Sequence, residues 1–481
     1  MPGSARRARE ALRHPDFARL FATRLSSQFA DGLFQALLIS TVVFSPTEQD
    51  TLEGFAKALA LLFVPFSLIG PFAGVFIDRW SRRKILVAVP ALRVLVSLVI
   101  AFVPVGSLWF YAAALFVLSA NRFFLATAAA VVPRLVPTED LLMANSVASV
   151  GGTVANVGGI FVGGLIAGAV GERPLLLATA VLWIGASWFA SRIRRSLSAG
   201  RSASRLHREL REAGLEFVDG IRRLGHTPRA LWPILSMTTD QFVQGYVVAL
   251  SLFVFRDRWQ EGVGSYSWFV GMGAVGVFAG LATVGVFETR LSKPRILSLA
   301  FVVSGVGLVA AGFMITPVTV LVVAFLIGLT FAWKKVPADT MVQEAVPDTY
   351  RGRVFSVYDV GYNLSRVAAA IAAISLVGTL GDTGSLIAAG VVMLLWSPIL
   401  PAVVRRVPEF AVRFYAGSRG EERPRAIVRG GPEEPVEVED EWLEEHDGER
   451  FRCFRLQVDA DDVIDISRRE PDGAWQIVDE G

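Results

Sequence analysis

The sequence predicts an all-α membrane protein: twelve transmembrane helices in two pseudo-symmetric six-helix halves, followed by a small C-terminal cytoplasmic tail. Three observations predict it. The 481 residues are 53% hydrophobic and 19% charged, a balance that goes with repeated apolar runs long enough to cross a bilayer. Every second loop between those runs is cationic, the distribution that fixes orientation in a membrane. The stretch Gly74-Val-Phe-Ile-Asp-Arg-Trp-Ser-Arg-Arg-Lys84 returns as Gly285-Val-Phe-Glu-Thr-Arg-Leu-Ser-Lys-Pro-Arg295, with Gly, Val, Phe, Arg and Ser at matching positions. Internal duplication of this kind suggests a transporter.

Runs of roughly 20 predominantly apolar residues fall at 17–44, 55–77, 85–104, 108–130, 142–170 and 174–191, then at 231–255, 266–287, 296–315, 318–336, 354–380 and 384–404. The cationic loops hold Arg6 to Arg13, Arg79 to Lys84, Arg134, Arg192 to Arg229, Arg290 to Arg295, Arg351 with Arg353, and Arg405 with Arg406. Facing them are loops with Glu48, Asp50 and Glu53, Glu172 with Arg173, Arg256 to Glu261, and Asp382. This alternation puts both termini in the cytoplasm of a protein integral to the bacterial cytoplasmic membrane. Met1 to Arg13 is basic, but the run from Phe17 reads as a lasting span rather than a cleaved leader.

The chain divides into a first bundle (1–191), a cytoplasmic linker (192–230), a second bundle (231–406) and an acidic tail (407–481). In the linker, Leu206, Leu210, Leu215, Phe217, Val218, Ile221 and Leu224 recur at helical spacing among arginines, as in an amphipathic helix lying on the inner leaflet. From Gly431 onward the tail holds 18 acidic and 5 basic residues. Phe451–Val458, Val463–Ile466 and Trp475–Val478 read as strands, with Pro471-Asp-Gly473 as a turn. The competing expectation is a disordered tail.

The composition also excludes functions. Cys453 is the only cysteine, so no intrachain disulfide and no cysteine–histidine metal cluster is expected. His14, His207, His226 and His446 lie outside the apolar runs, which argues against a histidine relay. Nothing resembles a phosphate-binding loop or a nucleophile–base pair. No metal, cofactor or catalytic residue is assigned, and an enzyme is not expected. The basic excess is loop charge and calls for no nucleic acid.

Twelve spans and the loop Gly74–Lys84 resemble the major facilitator superfamily, whose signature Gly-x-x-x-Asp-Arg-x-Gly-Arg-Arg-Lys is matched at Gly74, Asp78, Arg79, Arg82, Arg83 and Lys84 and departed from at Ser81. Leu118-x-x-x-Arg122 with Ala128-Ala129, and Gly159-Ile-Phe-Val-Gly163-Gly164, resemble two further motifs of the family, the second one associated with exporters. Pro133-Arg-Leu-Val-Pro137 and Arg351-Gly-Arg-Val-Phe-Ser356 are similar to the macrolide and siderophore exporter branch. The resemblance implies that Asp78, with the cations Arg79, Arg82, Arg83 and Lys84 around it, latches the cytoplasmic side by capping the start of span 11. A carboxylate suits that place because it meets free backbone N–H groups and a positive helix end.

Charges inside spans are functional candidates by default. Asp31 sits midway along span 1, Arg122 in span 4 and Asp240 mid-span 7. The family fold brings spans 1, 4, 7 and 10 around a central cavity, so an Asp31–Arg122 pair is expected there, either coupling protons or holding two helices together. Lys334, which repeats the place of Arg122, and Lys335 lie near the end of span 10, where snorkelling to the interface accounts for them at least as well as a functional role; Arg93 in span 3 and Lys57 in span 2 are expected to snorkel. Asp359, Asn363 and Arg366 form one polar stripe on span 11. That stripe is expected to face either the cavity or the seam between the halves, and Asn363 and Arg366, with Phe34, Phe123, Phe242 and Tyr246, are the expected lining of a substrate cavity. Span 5 is crowded with Gly151, Gly152, Gly158, Gly159, Gly163, Gly164 and Gly168, and span 8 with Gly271, Gly273, Gly276 and Gly280. These small residues are expected to form a close seam between the halves.

The leading expectation is a monomeric secondary transporter that exports an amphipathic small molecule of drug, macrolide or siderophore type, with protons as coupling ion and membrane lipids as surroundings. The alternatives are a nutrient importer and a membrane sensor acting through the acidic tail.

Overall fold

The computed structural model describes residues 12–44, 81–404 with breaks at 106, 196, 198–205, 226 and 347, and the strands between 411 and 477. The second apolar run and Gly74, Asp78 and Arg79 lie outside these residues. The helices are α1 (Pro15–Leu38), α2 (Arg82–Ile100), α3 (Leu108–Val131), α4 (Thr138–Val170), α5 (Glu172–Ser191), α6 (Leu206–Gly225), α7 (Pro228–Phe253), α8 (Val263–Glu288), α9 (Lys293–Phe313), α10 (Pro317–Ala345), α11 (Asp348–Trp396) and a short α12 (Ile399–Val404). Among the described residues, seven helices are long and apolar enough to cross a membrane by length and composition. α1 and α7 are not among them; each carries an aspartate near its centre.

Local chemistry sets the boundaries. Proline opens α1 and α10, where its missing N–H costs nothing. Thr316 and Thr319 form a reciprocal capping box at the start of α10. Gly171 at φ 83° separates α4 from α5, and Gly381 at φ 64° breaks α11 into the two expected spans. Glycine alone adopts that left-handed backbone without strain. Two π turns, Ile39–Val43 and Val254–Arg258, end α1 and α7 at corresponding places.

α1 packs chiefly against α4 and α5, α7 against α11, and α8 against α10. Backbones touch in these pairs: a Cβ on Gly32 would lie 2.1 Å from the Asn156 carbonyl, and one on Gly276 2.1 Å from that of Phe325. At the start of α1, Asp16 accepts hydrogen bonds from Arg19 (2.6 Å) and from the backbone N–H groups of Arg194 (3.0 Å) and Arg195 (2.9 Å). It pins the end of α5 to the surface end of α1. Burial pushes this carboxyl up, but the three donors outweigh it and hold the pKa below the usual value. A depressed carboxylate stabilises the folded state above its unfolded pKa, and the contribution is lost as pH falls through the folded one. Asp16→Asn is therefore expected to cost about 1 kcal/mol at pH 7. The cost should vanish on acidification below pH ~4, as read from melting temperatures of the two proteins in detergent.

The linker helix α6 lies on the start of α11. Asp219 bonds Arg353 at 2.6 Å, and Gly220 lets the Arg353 carbonyl approach. Leu215, Val218 and Ile221 are exposed on α6, which agrees with an apolar face turned to lipid. The tail forms two antiparallel sheets, β1 (Ala411–Ala416), β2 (Glu422–Val428) and β3 (Glu433–Pro435) in one, and β4 (Glu437–His446), β5 (Glu449–Asp459), β6 (Asp462–Arg469) and β7 (Gln476–Ile477) in the other. Ile427, Phe454, Leu456 and Ile466 make its core. The first two expected strands are present as parts of β5 and β6, and β7 covers 476–477 of the third, whose Trp475 and Val478 lie outside the described residues. The acidic stretch from Glu433 is strand too, because Trp442 and Val438 alternate with its carboxylates and pair with β5. The turn at 471–473 is outside the described residues.

Candidate functional site

Asp31 does not meet Arg122. Its Oδ1 accepts from Arg93 at 2.6 Å and from the Trp183 indole at 3.0 Å, and its Oδ2 accepts from Gln28 at 3.0 Å. Gln28 also donates to Asn121 at 2.9 Å, and Arg93 to Ser27 at 3.2 Å. The guanidinium lies over the Phe124 and Trp183 rings, at 5.3 and 5.8 Å. Arg93 is 0% and Asp31 3% exposed, so the expected snorkelling of Arg93 is overturned. A proline inside α2, Pro90, lies one turn before it. The arginine points inward because the carboxylate and two aromatic faces offer what the interface would. Phe34, at 0% exposed and 5.6 Å from Trp183, is part of this core and lines no opening.

The second half has its own knot. Lys334 bonds Asp240, whose other oxygen accepts from Gln244 at 2.7 Å and Gln241 at 3.2 Å. Lys334 also donates to Ser304 at 3.1 Å and stands 5.0 Å from the Phe301 ring centre. Lysine and aspartate are 1% and 0% exposed, so Lys334 does not snorkel. Its ammonium reaches sideways from α10 to α7 instead of along α10 to the interface. In both halves a carboxylate on the first helix is met by a cation from a later one, which an isolated sequence position cannot reveal.

Other charges cluster on α10 and α11, with Arg122 of α3 within electrostatic reach of those on α11. Lys335 bonds both oxygens of Asp339, at 2.6 and 2.7 Å, and lies 4.6 Å and 5.7 Å from the Tyr358 and Tyr362 ring centres. Asp359 is exposed, although its neighbour Tyr358 is 1% exposed. It interacts electrostatically with Lys335, Arg122 and Asp339. Arg122 on α3 interacts with Asp359, Arg366 and Tyr362 on α11. The expected stripe on α11 is thus partly brought together: Asp359 and Arg366 share partners, while Asn363 is buried with its amide turned back to the Asp359 carbonyl at 2.7 Å. Phe123 and Phe242 are half-buried, and Tyr246 is buried in the core at 4% exposed. Of the latch residues, Arg82, Arg83 and Lys84 begin α2, where Arg83 donates to the Ser191 carbonyl at 2.5 Å. Sequence reasoning missed Asp339, Tyr358 and Tyr362. The spacing Lys335–Asp339, i and i+4 on one helix face, was the available signal.

The glycine seam is narrower than expected. Gly151, Gly152, Gly159 and Gly163 pack on α1, and Gly276 and Gly280 on α10. Across the halves, a Cβ on Gly164 would lie 1.7 Å from Ser267 Oγ, and one on Gly168 3.0 Å from Gly264 Cα. One on Gly271 would meet the Phe161 ring at 2.9 Å. These contacts join the end of α4 to the beginning of α8. Beside them Phe44 and Phe255, delivered by the two π turns, both pack on Tyr266, at 5.9 and 5.5 Å between ring centres.

Residues 20–260 and 237–432 match the sequence profile of the Major Facilitator Superfamily. An uncharacterized MFS-type transporter of Mycobacterium tuberculosis is 29% identical over 410 residues, covering 82% of this chain and 92% of its own length. A putative bacilysin exporter of Bacillus subtilis is 25% identical over 298 residues, covering 61% of this chain and 73% of its own. Among solved structures, a POT family transporter in complex with a thioalcohol-conjugated peptide superposes with a TM-score of 0.62 at 13% identity, over 81% of this chain and 96% of that one. A bacterial homologue of the iron transporter ferroportin, in an inward-facing state, gives 0.59 at 15% identity over 79% and 98%. At these identities the likeness is one of fold.

Proposed function

Since the chain belongs to the major facilitator superfamily and is an integral membrane transporter rather than an enzyme, we propose that it exports an amphipathic small molecule by alternating access, energised by the proton-motive force. One observation carries this reading. The halves touch through Gly164, Gly168 and Gly271 at one end of α4 and α8, while Arg122 of the first half and Asp359 of the second interact electrostatically. A solute site closed from one side is what an alternating-access cycle requires. The similarity to a putative bacilysin exporter supports the outward direction.

In this reading the chain crosses the bacterial cytoplasmic membrane twelve times with both termini inside, and the touching ends lie on the outer side. The conformation is then open to the cytoplasm. Residues 1–191 and 231–406 form the two moving halves, 192–230 the surface linker and 407–481 the tail. Asp78 latches the cytoplasmic side in the opposite conformation. Asp31 and Asp240, each sealed with a cation and further donors, act as structural knots rather than as exchangeable proton carriers.

A disruption strain is expected to accumulate, and to become more sensitive to, at least one compound from a panel of drugs, macrolides and siderophores. Purified protein in liposomes should then move that compound uphill when a pH gradient and a membrane potential are imposed. Equal accumulation in disruption and parent strains across the panel sinks export, and uphill uptake into the cell establishes the import alternative.

A further inference from the structure

We infer that the C-terminal tail is a brace: strand β3 holds the linker helix α6 against the start of α11, so that tail, linker helix and second half form one body. The inference rests on the reading of the chain as two halves that move against each other, and it gives the tail a part in that motion. A run of contacts carries it. Glu434 of β3 accepts a hydrogen bond from Arg223 of α6 at 3.1 Å. The same guanidinium lies 5.1 Å from the ring centre of Tyr350 in the first turn of α11, and Arg353 lies 5.2 Å from that ring. Arg353 in turn reaches back to α6, to Asp219 at 2.6 Å and Glu216 at 4.0 Å.

An ordinary surface ion pair stabilises little, but two features set this one apart. The Arg223 and Glu434 side chains are only 22% and 16% exposed, so the charge-assisted bond is largely withdrawn from water and strengthened. The carboxylates are also divided in a telling way. Asp219 stands four residues before Arg223, the position from which a helix offers its own countercharge, yet it is turned to Arg353. Two guanidiniums beside one ring repel each other unless each has an acid, and the tail supplies the one for Arg223.

Both ends of the contact are anchored. Glu434 stands opposite Ile427 in the β2–β3 pairing, and Ile427 lies in the tail's core with Phe454, Leu456 and Ile466. Val436, two residues on, donates its N–H to the Arg425 carbonyl at 3.0 Å. On the other side, Leu224 of α6 is buried with Ala230 of α7 and with Val354 and Tyr358 of α11. Tyr350, Arg353 and Val357 fall on one face of α11, and α6 covers it: a Cβ on Gly220 would lie 2.7 Å from the Arg353 carbonyl and 3.1 Å from Val357. Gly352 is turned away from that face, and among the described residues a Cβ there would meet nothing within 4 Å. The start of α11 is therefore backed on one side and open on another, where the latch proposed for Asp78 could land.

The test uses the full-length protein in nanodiscs, with spin labels on Leu443→Cys in the tail and Ser292→Cys at the start of α9, in a Cys453→Ala background. Pulsed electron paramagnetic resonance should give one narrow distance between the labels. Arg223→Glu and Glu434→Arg should each broaden it, and the two together, which exchange the charges, should restore most of the sharpness. In parallel, amide hydrogen exchange across 216–224 should quicken by about 10-fold in each single variant and slow again in the pair. Glu434→Gln serves as the readout if the reversed charges prevent folding. A broad distance in the protein with intact Arg223 and Glu434 overturns the brace. So does a distance that stays narrow in the single variants, or an exchanged pair no better than they are. The measurement needs no substrate, so its failure leaves the transporter reading to the disruption strain, and a strain without a phenotype leaves the brace to the spin labels.

Discussion

Asp31→Asn is expected to destabilise the protein by about 3–5 kcal/mol, the cost of leaving a buried charge without its partner. Asparagine keeps the shape, but its one carbonyl oxygen can accept at the position facing Trp183 or at the one facing Gln28, not at both, and Arg93 loses its countercharge while 0% exposed. The same loss follows from Arg93→Leu, which strands the carboxylate. Removing both charges as Asp31→Leu with Arg93→Leu should recover most of the stability, because the knot is lined by Phe124, Trp183 and Phe34, and apolar replacement of a buried ion pair is often neutral. Thermal unfolding in detergent with intrinsic fluorescence reads all three. A single variant as stable as wild type refutes the structural role. A double variant that is stable yet loses only gradient-driven transport would add proton coupling to the structural role of Asp31.

The second large effect is expected at Gly164. A valine there would drive its side chain into Ser267 and towards the Val263 carbonyl, 3.1 Å from the position of a Cβ. Nothing at that point yields cheaply, since the opposing atoms belong to the first turn of α8. The end of the seam should therefore open, which in the proposed orientation holds the transporter with its outer side parted. Transport should fall by at least about 100-fold, the equivalent of about 2.7 kcal/mol, while the protein inserts and purifies normally. A single cysteine introduced at position 168 should become accessible to a membrane-impermeant thiol reagent from outside in Gly164→Val and remain protected in the otherwise wild-type protein. Ser267→Gly should partly restore transport to Gly164→Ala but not to Gly164→Val. Full activity of Gly164→Val means the two ends do not need to close.

How much of this was legible in the sequence depends on the range of the interaction. Helix positions were readable because apolar runs and loop charges are local, and Gly171 and Gly381 mark breaks that the periodicity also marks. The partners were not readable. Asp31 and Arg122 were paired by helix order, but the neighbour of Asp31 is Arg93, 62 residues away, and helix rotation decides which cation arrives. Lys334 and Lys335 are adjacent in sequence and go to different places, one into a sealed knot with Asp240 and the other to Asp339 beside Tyr358. An α-helix turns about 100° per residue, so consecutive lysines are assigned different surroundings, and giving both the same pair of alternatives overlooked that. The stripe Asp359–Asn363–Arg366 was legible as a face, though not that Asn363 would turn back onto its own helix. The tail's strands were legible where apolar residues alternate and hidden where carboxylates fill the exposed side.

The aromatic contact at the touching ends bears on what the membrane loses while the protein waits. Phe44 and Phe255 meet on Tyr266, so rings from both halves pack together beside the glycine contacts. The rings offer a hydrated ion almost nothing to coordinate. The Tyr266 hydroxyl is the exception, and it is turned to Ser251. In the proposed cycle this cap would serve as electrical insulation as well as a steric stop: solute could exchange on one side without short-circuiting the ion gradients maintained across the bilayer.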